Sequence, residues 1–415
     1  MLSANGRSFV STGVPISAAD GGGAVREKAV PKEAEVKNPL LPNDVRRSLV
    51  LRAQAKFRVD SRGRSLPPEE VLSAAPTRGA LPEGETPPPV RAPPSSPTLG
   101  DVVGLCILVD FSDEVGAIPQ ADIDDLCNQP SGFTGFGNAC SVNEYFRIQS
   151  DGRFNFTNIV TAYVRVPHPK TYYDDGSDAP WGSNRGQELV QDALDVLIAA
   201  GFDFTPLSLD SSNIIRSLNI FYAGTVTSGW NRGLWPHKWD IPTKTVDAAN
   251  GIKAEVYQMS DLTSSPDIGT FSHENGHLTC GFPDLYNYDN NASVVGDFSL
   301  MSGGSHGGGG KHPTSVDPYL KNSAGWATMT DLAPTDHFRV SAQRDRNHYY
   351  RIVNPAEPRE YIVFETRDDT GYEGPYGGHA TSVCPGQGIV AWHVFEGGSN
   401  THPWVTKGGA PVYEA

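Results

Sequence analysis

Three side chains in the run Phe271–Cys280 have the types and spacing for hydrolytic chemistry: His273, Glu274 and His277, in the order His-Glu-X-X-His. On a helix, residues four apart lie on one face, so both imidazoles can point at one metal ion while Glu274 faces its open coordination position. Zinc suits this arrangement because it takes two neutral histidines, a third protein ligand and a water. Zinc lowers the pKa of that water, and Glu274 can accept its proton. The implied chemistry is metal-assisted hydrolysis of a peptide bond.

The residues after His277 predict where the third ligand comes from. Gly281 can end the helix in a left-handed conformation, and Pro283 prevents the helix from resuming. The chain must therefore turn, which can bring Asp284 back toward the metal. Asp289 is the second candidate for this position. Both aspartates could instead bind Ca²⁺ or cap a turn, as loop aspartates often do.

Met301 lies in a second informative stretch, where it is followed by Ser-Gly-Gly. This order predicts a tight turn that carries one soft apolar side chain. A methionine buried in an ordinary core loop is the alternative. The turn comes 24 residues after His277, and it resembles the Met-turn that underlies the zinc site of metzincin proteases.

With these motifs the chain resembles the M6 family of secreted metalloproteases, the immune-inhibitor-A-like group. The resemblance extends from about residue 100 to the last residue. It rests on further segments at 103–113, 143–153, 219–224, 233–239, 360–367 and 385–394. It implies a secreted zinc endopeptidase that acts on proteins or peptides, with His273, His277 and Asp284 as zinc ligands. It also implies that Glu274 acts as general base and then general acid, and that Met301 supports the site from below.

One feature departs from the family pattern His-Glu-X-X-His-X-X-Gly-X-X-Asp. Gly281 comes four residues after His277 and Asp284 comes seven after it, so one residue is inserted, within Leu278–Cys280. The insertion leaves the third ligand open between Asp284 and Asp289. If it disables that ligand, the protein is a catalytically inactive, metalloprotease-like binding module. A metal-dependent hydrolase of a non-peptide substrate is a third hypothesis.

Two further side chains are candidates for contacts with the substrate or the oxyanion. Tyr286, or its neighbour Tyr288, could offer a hydroxyl to the oxyanion, although tyrosines more often serve packing. His237 could touch the substrate near the cleft. The alternative for His237 is a hydrogen-bonded histidine in an aromatic loop.

The elements that must position these residues are predicted as an α+β fold. It comprises a metzincin-like zinc protease domain, with a twisted mixed sheet and with backing and active-site helices, followed by a β-rich segment. The continuous apolar run from Val102 to Val109 predicts a buried central strand. The spacing of apolar residues predicts a backing helix over 185–200 that ends at Gly201, and an active-site helix over 267–280 capped by Asp267. Further strands are predicted at 214–222, 348–353, 361–366 and 388–395.

The chain divides into four regions by composition. Residues 1–65 form a propeptide-like N-terminal region, with a disordered tail of no function as the alternative. Residues 66–98 hold ten prolines and predict an extended linker. Residues 99–330 form the metalloprotease catalytic domain. Residues 331–415 form a β-rich continuation, which we expect to be truncated because the family usually continues beyond this point.

Charge is distributed unevenly along the 415 residues, whose net charge is −15. Residues 1–100 carry 14 basic and 10 acidic side chains, whereas the remainder carries 19 basic and 38 acidic ones. The acidic part argues against nucleic acid and anionic membranes as partners. The basic N-terminal region is suited to dock on it as an intramolecular propeptide.

The first residues of the chain and its apolar stretches bear on whether the protein is exported. No apolar stretch approaches the ~18 residues that a membrane-spanning helix needs. The first ten residues lack the apolar segment of a signal peptide. We therefore expect a processed or cut chain, a misassigned start, or a protein that does not use that export route.

Among the five cysteines, Cys127 and Cys140 could form a disulfide or remain thiols, and Cys280 could pair with Cys384.

Overall fold

The computed structural model describes residues 97–176, 185–228, 233–286, 295–333, 347–367 and 388–396, together with the backbone of four short strands. Those strands form two antiparallel pairs, β1 with β2 near one end and β13 with β14 near the other. Their bounds are Ser8–Phe9, Pro15–Ile16, Trp404–Lys407 and Ala410–Tyr413. Residues 66–96 of the predicted linker, together with Asp289, Tyr288 and Cys384, lie outside the described residues.

A mixed six-stranded sheet forms the centre of the larger part. Its strands are β3 (Gly100–Asp110), β4 (Phe154–Val160), β5 (Val164–Arg165), β6 (Leu218–Ala223), β7 (His237–Asp247) and β8 (Ile252–Leu262). Their order is β4-β3-β6-β8-β7, and β5 pairs with β3 beyond the end of β4. All neighbours are parallel except β7, which pairs antiparallel with β8.

Helices cover both faces of this sheet. They are α1 (Gln120–Asn128), α2 (Val142–Gln149), α3 (Lys170–Tyr173), α4 (Arg185–Ala199), α5 (Ile268–Cys280) and α6 (Pro318–Ser323). Short 3₁₀ turns occur at Gly135–Gly137, Gly296–Phe298 and Gly303–His306. Within the described residues, no helix has both the length and the apolar composition needed to cross a bilayer.

The fully buried strand β3 separates two apolar cores. Side chains alternate between the faces of a strand, so a strand that is covered on both sides reads as a continuous apolar run. Cys106 and Leu108 point into the core that holds α1, α2 and α5. Ile107 and Val109 point into the opposite core, which holds α4. The predicted central strand and the predicted backing helix are therefore confirmed.

Helix α5 runs through the first core. Its Phe271 ring stacks on Phe221 of β6, with ring centroids 4.5 Å apart. Most residues from Ile268 to Gly276 are buried, because the sheet covers one side of the helix and the segment around Met301 covers the other. The position of α5 is therefore fixed from two sides.

A second sheet of four strands follows. It consists of β9 (Thr328–Asp331), β10 (His348–Val353), β11 (Glu360–Arg367) and β12 (Gly388–Phe395), in the order β12-β11-β10-β9. The three later strands match the predicted β-rich stretches within a residue at each end. The β9–β10 pair is parallel and the other two pairs are antiparallel.

Phe298 joins this second sheet to the region of Met301. Its ring lies in an apolar cluster with Tyr361, Val363 and Trp392. The buried guanidinium of Arg367 donates a hydrogen bond to the Phe298 carbonyl oxygen over 2.8 Å. The same guanidinium pairs with the Glu365 carboxylate at 3.1 Å.

The cysteines of the first core are thiols. Cys106, Cys127 and Cys140 are buried and form no disulfide, and Cys280 is a partly buried thiol. The possible Cys127–Cys140 disulfide is therefore absent from the structure.

Replacing Arg367 by Met should lower the free energy of unfolding by about 3 kcal/mol, because it leaves the Glu365 carboxylate buried beside an apolar side chain. Urea denaturation measures this loss. Arg351→Met is the matched control, since its partner Asp331 is 60% exposed, and it should lose less than about 1 kcal/mol. Equal losses in the two variants would contradict the buried network.

Candidate metal centre

Helix α5 begins at a well-defined cap. The Asp267 carboxylate accepts hydrogen bonds from the backbone amides of Gly269 and Thr270, at 3.1 and 3.3 Å. These bonds satisfy amides that have no partner within the helix. The predicted start and capping residue of the active-site helix are confirmed.

The glycine-rich loop at residues 307–311 holds the N-terminal end of α5. The Gly269 amide donates to the Gly310 carbonyl oxygen over 2.9 Å. The Lys311 ammonium donates to the carbonyl oxygens of Ser265 and Pro266, at 2.5 and 2.6 Å. A Cβ atom on Gly269 would lie 2.0 Å from the Ser305 carbonyl oxygen, so only glycine permits this approach. The loop therefore anchors the helix.

His273, His277 and Asp284 converge at one point. The Nε2 atoms of the two histidines are 3.2 Å apart. Asp284 Oδ1 lies 3.1 Å from His273 Nε2 and 3.2 Å from His277 Nε2. These residues form one of the groups in the described part of the chain that could hold a metal ion.

The other ring nitrogen of each histidine fixes which way the imidazole faces. His273 Nδ1 lies 2.9 Å from the Leu300 carbonyl oxygen, and His277 Nδ1 lies 2.6 Å from the Phe282 carbonyl oxygen. A carbonyl oxygen can only accept, so each Nδ1 must carry the hydrogen. In the neutral imidazoles, both Nε2 atoms then present lone pairs.

The donor set fits a zinc ion. When both imidazoles are neutral, two lone pairs and one carboxylate oxygen face each other, and their repulsion is removed by a metal cation or by a proton on His273 Nε2. Zinc ligands at about 2.1 Å in a tetrahedron are about 3.4 Å apart, close to the distances between these three atoms.

The turn after α5 explains how Asp284 reaches the histidines despite the extra residue. Gly281 adopts φ 67° and ψ 24°, the left-handed conformation that ends many helices. In the common Schellman turn, the amide of Phe282 would bond to the carbonyl of His277. Here it bonds one residue further back, to Gly276 at 2.9 Å, and the Gly281 amide bonds to His277 at 3.2 Å. The turn is one residue wider, which accommodates the insertion.

The segment from Leu300 to Met301 braces the site from below. The Leu285 amide donates to the Met301 carbonyl oxygen over 2.7 Å, which ties the Asp284 loop to this segment. The Met301 side chain is fully buried. A Cβ atom on Gly276 would lie 2.6 Å from the Met301 sulfur. Glycine at 276 therefore lets the helix rest directly on the methionine.

Burial and mutual charge interactions shift the pKa values of His273, Asp284 and Glu274. Burial opposes the charged form of His273, but the hydrogen bond to Asp284 and its negative charge outweigh burial and raise the pKa of His273 to about 9. Burial also opposes ionisation of Asp284, yet the two histidines lower its pKa well below the usual range. Burial raises the pKa of Glu274 above its ordinary value, against the opposing charges of the histidines.

The structure does not bring His237 to this centre. His237 pairs with Met259 across β7 and β8, so its side chain points into the core that holds α4, on the opposite face of the sheet from α5. Its ring nitrogens contact the Trp235 carbonyl oxygen at 2.5 Å and the Tyr257 hydroxyl at 2.9 Å. This placement corresponds to the alternative of a hydrogen-bonded histidine.

Tyr286 follows Asp284 by two residues and is partly buried.

Several groups that shape the site gave no sequence pattern. The carbonyls of Leu300 and Phe282 act through the backbone, which any residue carries. The contacts of Lys311 with Ser265 and Pro266 likewise gave no sequence pattern, because they depend on where the helix begins in the folded chain.

Two comparisons with known proteins identify the family of the chain. Residues 105–327 match the model of the family described as immune inhibitor A peptidase M6, catalytic domain. The chain is also 25% identical over 287 residues to the pre-pro-metalloprotease PrtV of Vibrio cholerae serotype O1, in strains M66-2 and ATCC 39315. The match covers 59% of this chain and 29% of each relative, so the chain corresponds to less than a third of their length.

Gly276→Ala should weaken zinc binding at least about tenfold and destabilise the fold by about 1–3 kcal/mol, because the new methyl group overlaps the Met301 sulfur. Zinc titration against a competing chelator and urea unfolding measure the two effects. The double variant with Met301→Ala should lose less stability than the sum of the single variants. Strict additivity would show that the contact does not limit the site.

Zinc binding at pH 7.5 should release a proton from His273. Its pKa of about 9 keeps it protonated at that pH, and it must lose the proton to ligate. Apparent affinity should therefore rise by roughly tenfold per pH unit up to about pH 9 and then level off. Calorimetry in buffers of different ionisation enthalpy counts the proton. Asp284→Asn, which removes the charge that raises this pKa, should release less. Affinity that is constant from pH 7 to 9 would contradict the assignment.

Proposed function

The chain belongs to the immune inhibitor A peptidase M6 family, and on this premise we propose that it is a zinc-dependent endopeptidase. The observation that carries the proposal is the convergence of His273 Nε2, His277 Nε2 and Asp284 Oδ1 within 3.2 Å of one another. With each Nδ1 committed to a carbonyl oxygen, the three facing atoms are all acceptors once His273 has lost the proton that its raised pKa retains. A divalent cation can take the place of that proton.

His273, His277 and Asp284 would hold the zinc ion, and the widened turn supports Asp284 rather than Asp289 as the third ligand. A zinc ion held there supplies a Lewis acid, which polarises a peptide carbonyl group and acidifies a water molecule. The hydrogen bonds from the histidines to Leu300 and Phe282 keep the ligands oriented before the metal arrives.

Glu274 would move the proton. It accepts a proton from the attacking water and then donates it to the nitrogen of the leaving amine. Burial raises the pKa of Glu274. A pKa closer to neutral pH helps the carboxyl group to hold the proton between the two steps. Glu274 follows His273 directly on a helix that is held at both ends, and this keeps its carboxylate in place.

The finer architecture is part of the same proposal. Residues 99–330 would form a metzincin-like catalytic domain in which Met301 is the Met-turn residue, and residues 331–415 would continue it as a β-rich segment. The Phe298–Arg367 contact supports treating the second sheet as a brace for the turn. The turn follows Phe298 directly, so its position depends on that contact.

The N-terminal region would act before the active enzyme is released. Residues 1–65 would form a propeptide and residues 66–98 a proline-rich tether. The basic excess of residues 1–100, opposite the acidic remainder, supports an intramolecular docking. The relatives are described as pre-pro-metalloproteases, which supports an exported precursor and an extracellular site of action on protein or peptide substrates.

Glu274→Gln should lower cleavage of an unstructured protein by about 10³-fold or more, because no group remains to move the proton. Its zinc content should stay at the wild-type level, since Glu274 is not a ligand. His277→Ala should lose both zinc and activity. Quenched-peptide cleavage and metal analysis on the same samples measure these outcomes.

Glu255→Gln provides the matched control, because it removes a carboxylate from β8 that bonds to Thr243 away from the centre. It should retain activity. Comparable cleavage by Glu274→Gln would overturn the mechanism. A folded, zinc-loaded wild-type protein that cleaves neither proteins, esters nor amides would favour the inactive binding module instead.

A further inference from the structure

A second group of metal-ligating side chains lies outside the candidate centre. Atoms of His168, Glu188 and Asp192 that could bind a metal lie within 4.8 Å of one another. We propose that these three residues form a second metal site, for a first-row divalent transition ion such as Zn²⁺, which fastens helix α4 to the segment entering α3.

The backbone places the three ligands without strain. Glu188 and Asp192 are four residues apart, so they lie on one face of α4. The neighbouring positions Leu189 and Ala193 point into the core against the sheet. His168 stands in the loop between β5 and α3, and α3 packs beside α4. The site would therefore cross-link two elements that are distant in sequence.

Two tyrosines from α3 orient the carboxylates. The Tyr172 hydroxyl donates to Glu188 Oε1 over 3.0 Å, and the Tyr173 hydroxyl donates to Asp192 Oδ2 over 2.5 Å. The His168 ring stacks on Tyr172, with centroids 4.1 Å apart and planes inclined by 27°. Hydrogen bonds to ligating carboxylates and fixed imidazole planes are the supports that metal sites commonly have.

Charge and donor type select the ion. Arg185 pairs with Glu188 at 3.1 Å and offsets one negative charge, whereas Asp192 adds a second one on the same helix face. Like charges at this spacing repel each other, and a cation between them removes that repulsion. Ca²⁺ prefers six to eight oxygen ligands. An imidazole with two carboxylates is a donor set for zinc and its neighbours.

The position of the group indicates a structural role. Helix α4 packs in the core on one face of the sheet, and α5, which carries His273 and His277, packs on the other. An ion bound by His168, Glu188 and Asp192 would therefore stabilise the packing of α3 against α4. The proposal does not depend on the assignment of the enzymatic function.

The test counts zinc ions per chain. Full-length protein carrying Glu274→Gln, which prevents self-cleavage, is dialysed against buffered free Zn²⁺ and analysed for bound metal. The parent should bind two ions. Adding Glu188→Gln or Asp192→Asn should reduce the count to one, and adding His277→Ala should also reduce it to one. Circular dichroism verifies that each variant is folded, and His168→Gln gives a second, conservative route to the same loss.

Asp195→Asn is the matched control, since it removes one carboxylate from the same helix outside the group, where it pairs with Lys244. It should leave two ions. X-ray absorption of the ion left in the His277→Ala protein should show one imidazole ligand together with oxygen ligands.

The outcomes separate the two sites. One ion in the parent and none after His277→Ala would overturn the second site. One ion that survives His277→Ala but is lost with Asp192→Asn would support the second site and contradict the zinc assignment at His273 and His277. A second ion that persists in all three variants of the group would also overturn the proposal, because it would be held elsewhere.

Discussion

Two hydrogen bonds to backbone carbonyl oxygens govern the arrangement at the candidate metal centre. The Leu300 and Phe282 carbonyls accept the Nδ1 hydrogens of His273 and His277, and this turns both Nε2 atoms toward Asp284. Without those carbonyls either imidazole could rotate or exchange tautomers, and the three acceptors would separate. The preference for a cation is therefore built into the backbone on both sides of α5.

The remaining architecture supplies those two carbonyls at the right place. Phe282 is delivered by the turn that ends α5, whereas Leu300 belongs to the segment beneath the helix. That segment is held in turn by the second sheet, through the hydrogen bond from Arg367 to Phe298. The buried aromatic contact between Phe271 and Phe221 holds the helix against the first sheet. Local ligand geometry thus depends on packing across both sheets.

The sequence was most informative where one physical effect dominated. The His-Glu-X-X-His spacing, the Asp267 cap and the buried run of β3 each depend on local chemistry, and these elements appear at the expected positions. The strand expected from Ile214 begins only at Leu218. Ile214 instead forms an isolated β-bridge with Lys253, and the Ile215 amide donates to the Lys253 carbonyl oxygen. Non-local pairing of this kind leaves no periodic pattern in the chain. The β7–β8 hairpin and the anchoring by Lys311 were likewise inaccessible from residue types alone.

The widened turn after α5 also bears on how chain length can vary in such a protein. One extra residue within a helix rotates everything beyond it by about 100°, so an insertion between His273 and His277 would turn one imidazole away from the other. An insertion beyond His277 meets a left-handed glycine and a hydrogen-bonded loop that can enlarge by one residue. Length changes are thus forbidden on one side of His277 and tolerated on the other, and a search with fixed spacing would overlook proteins built in this way.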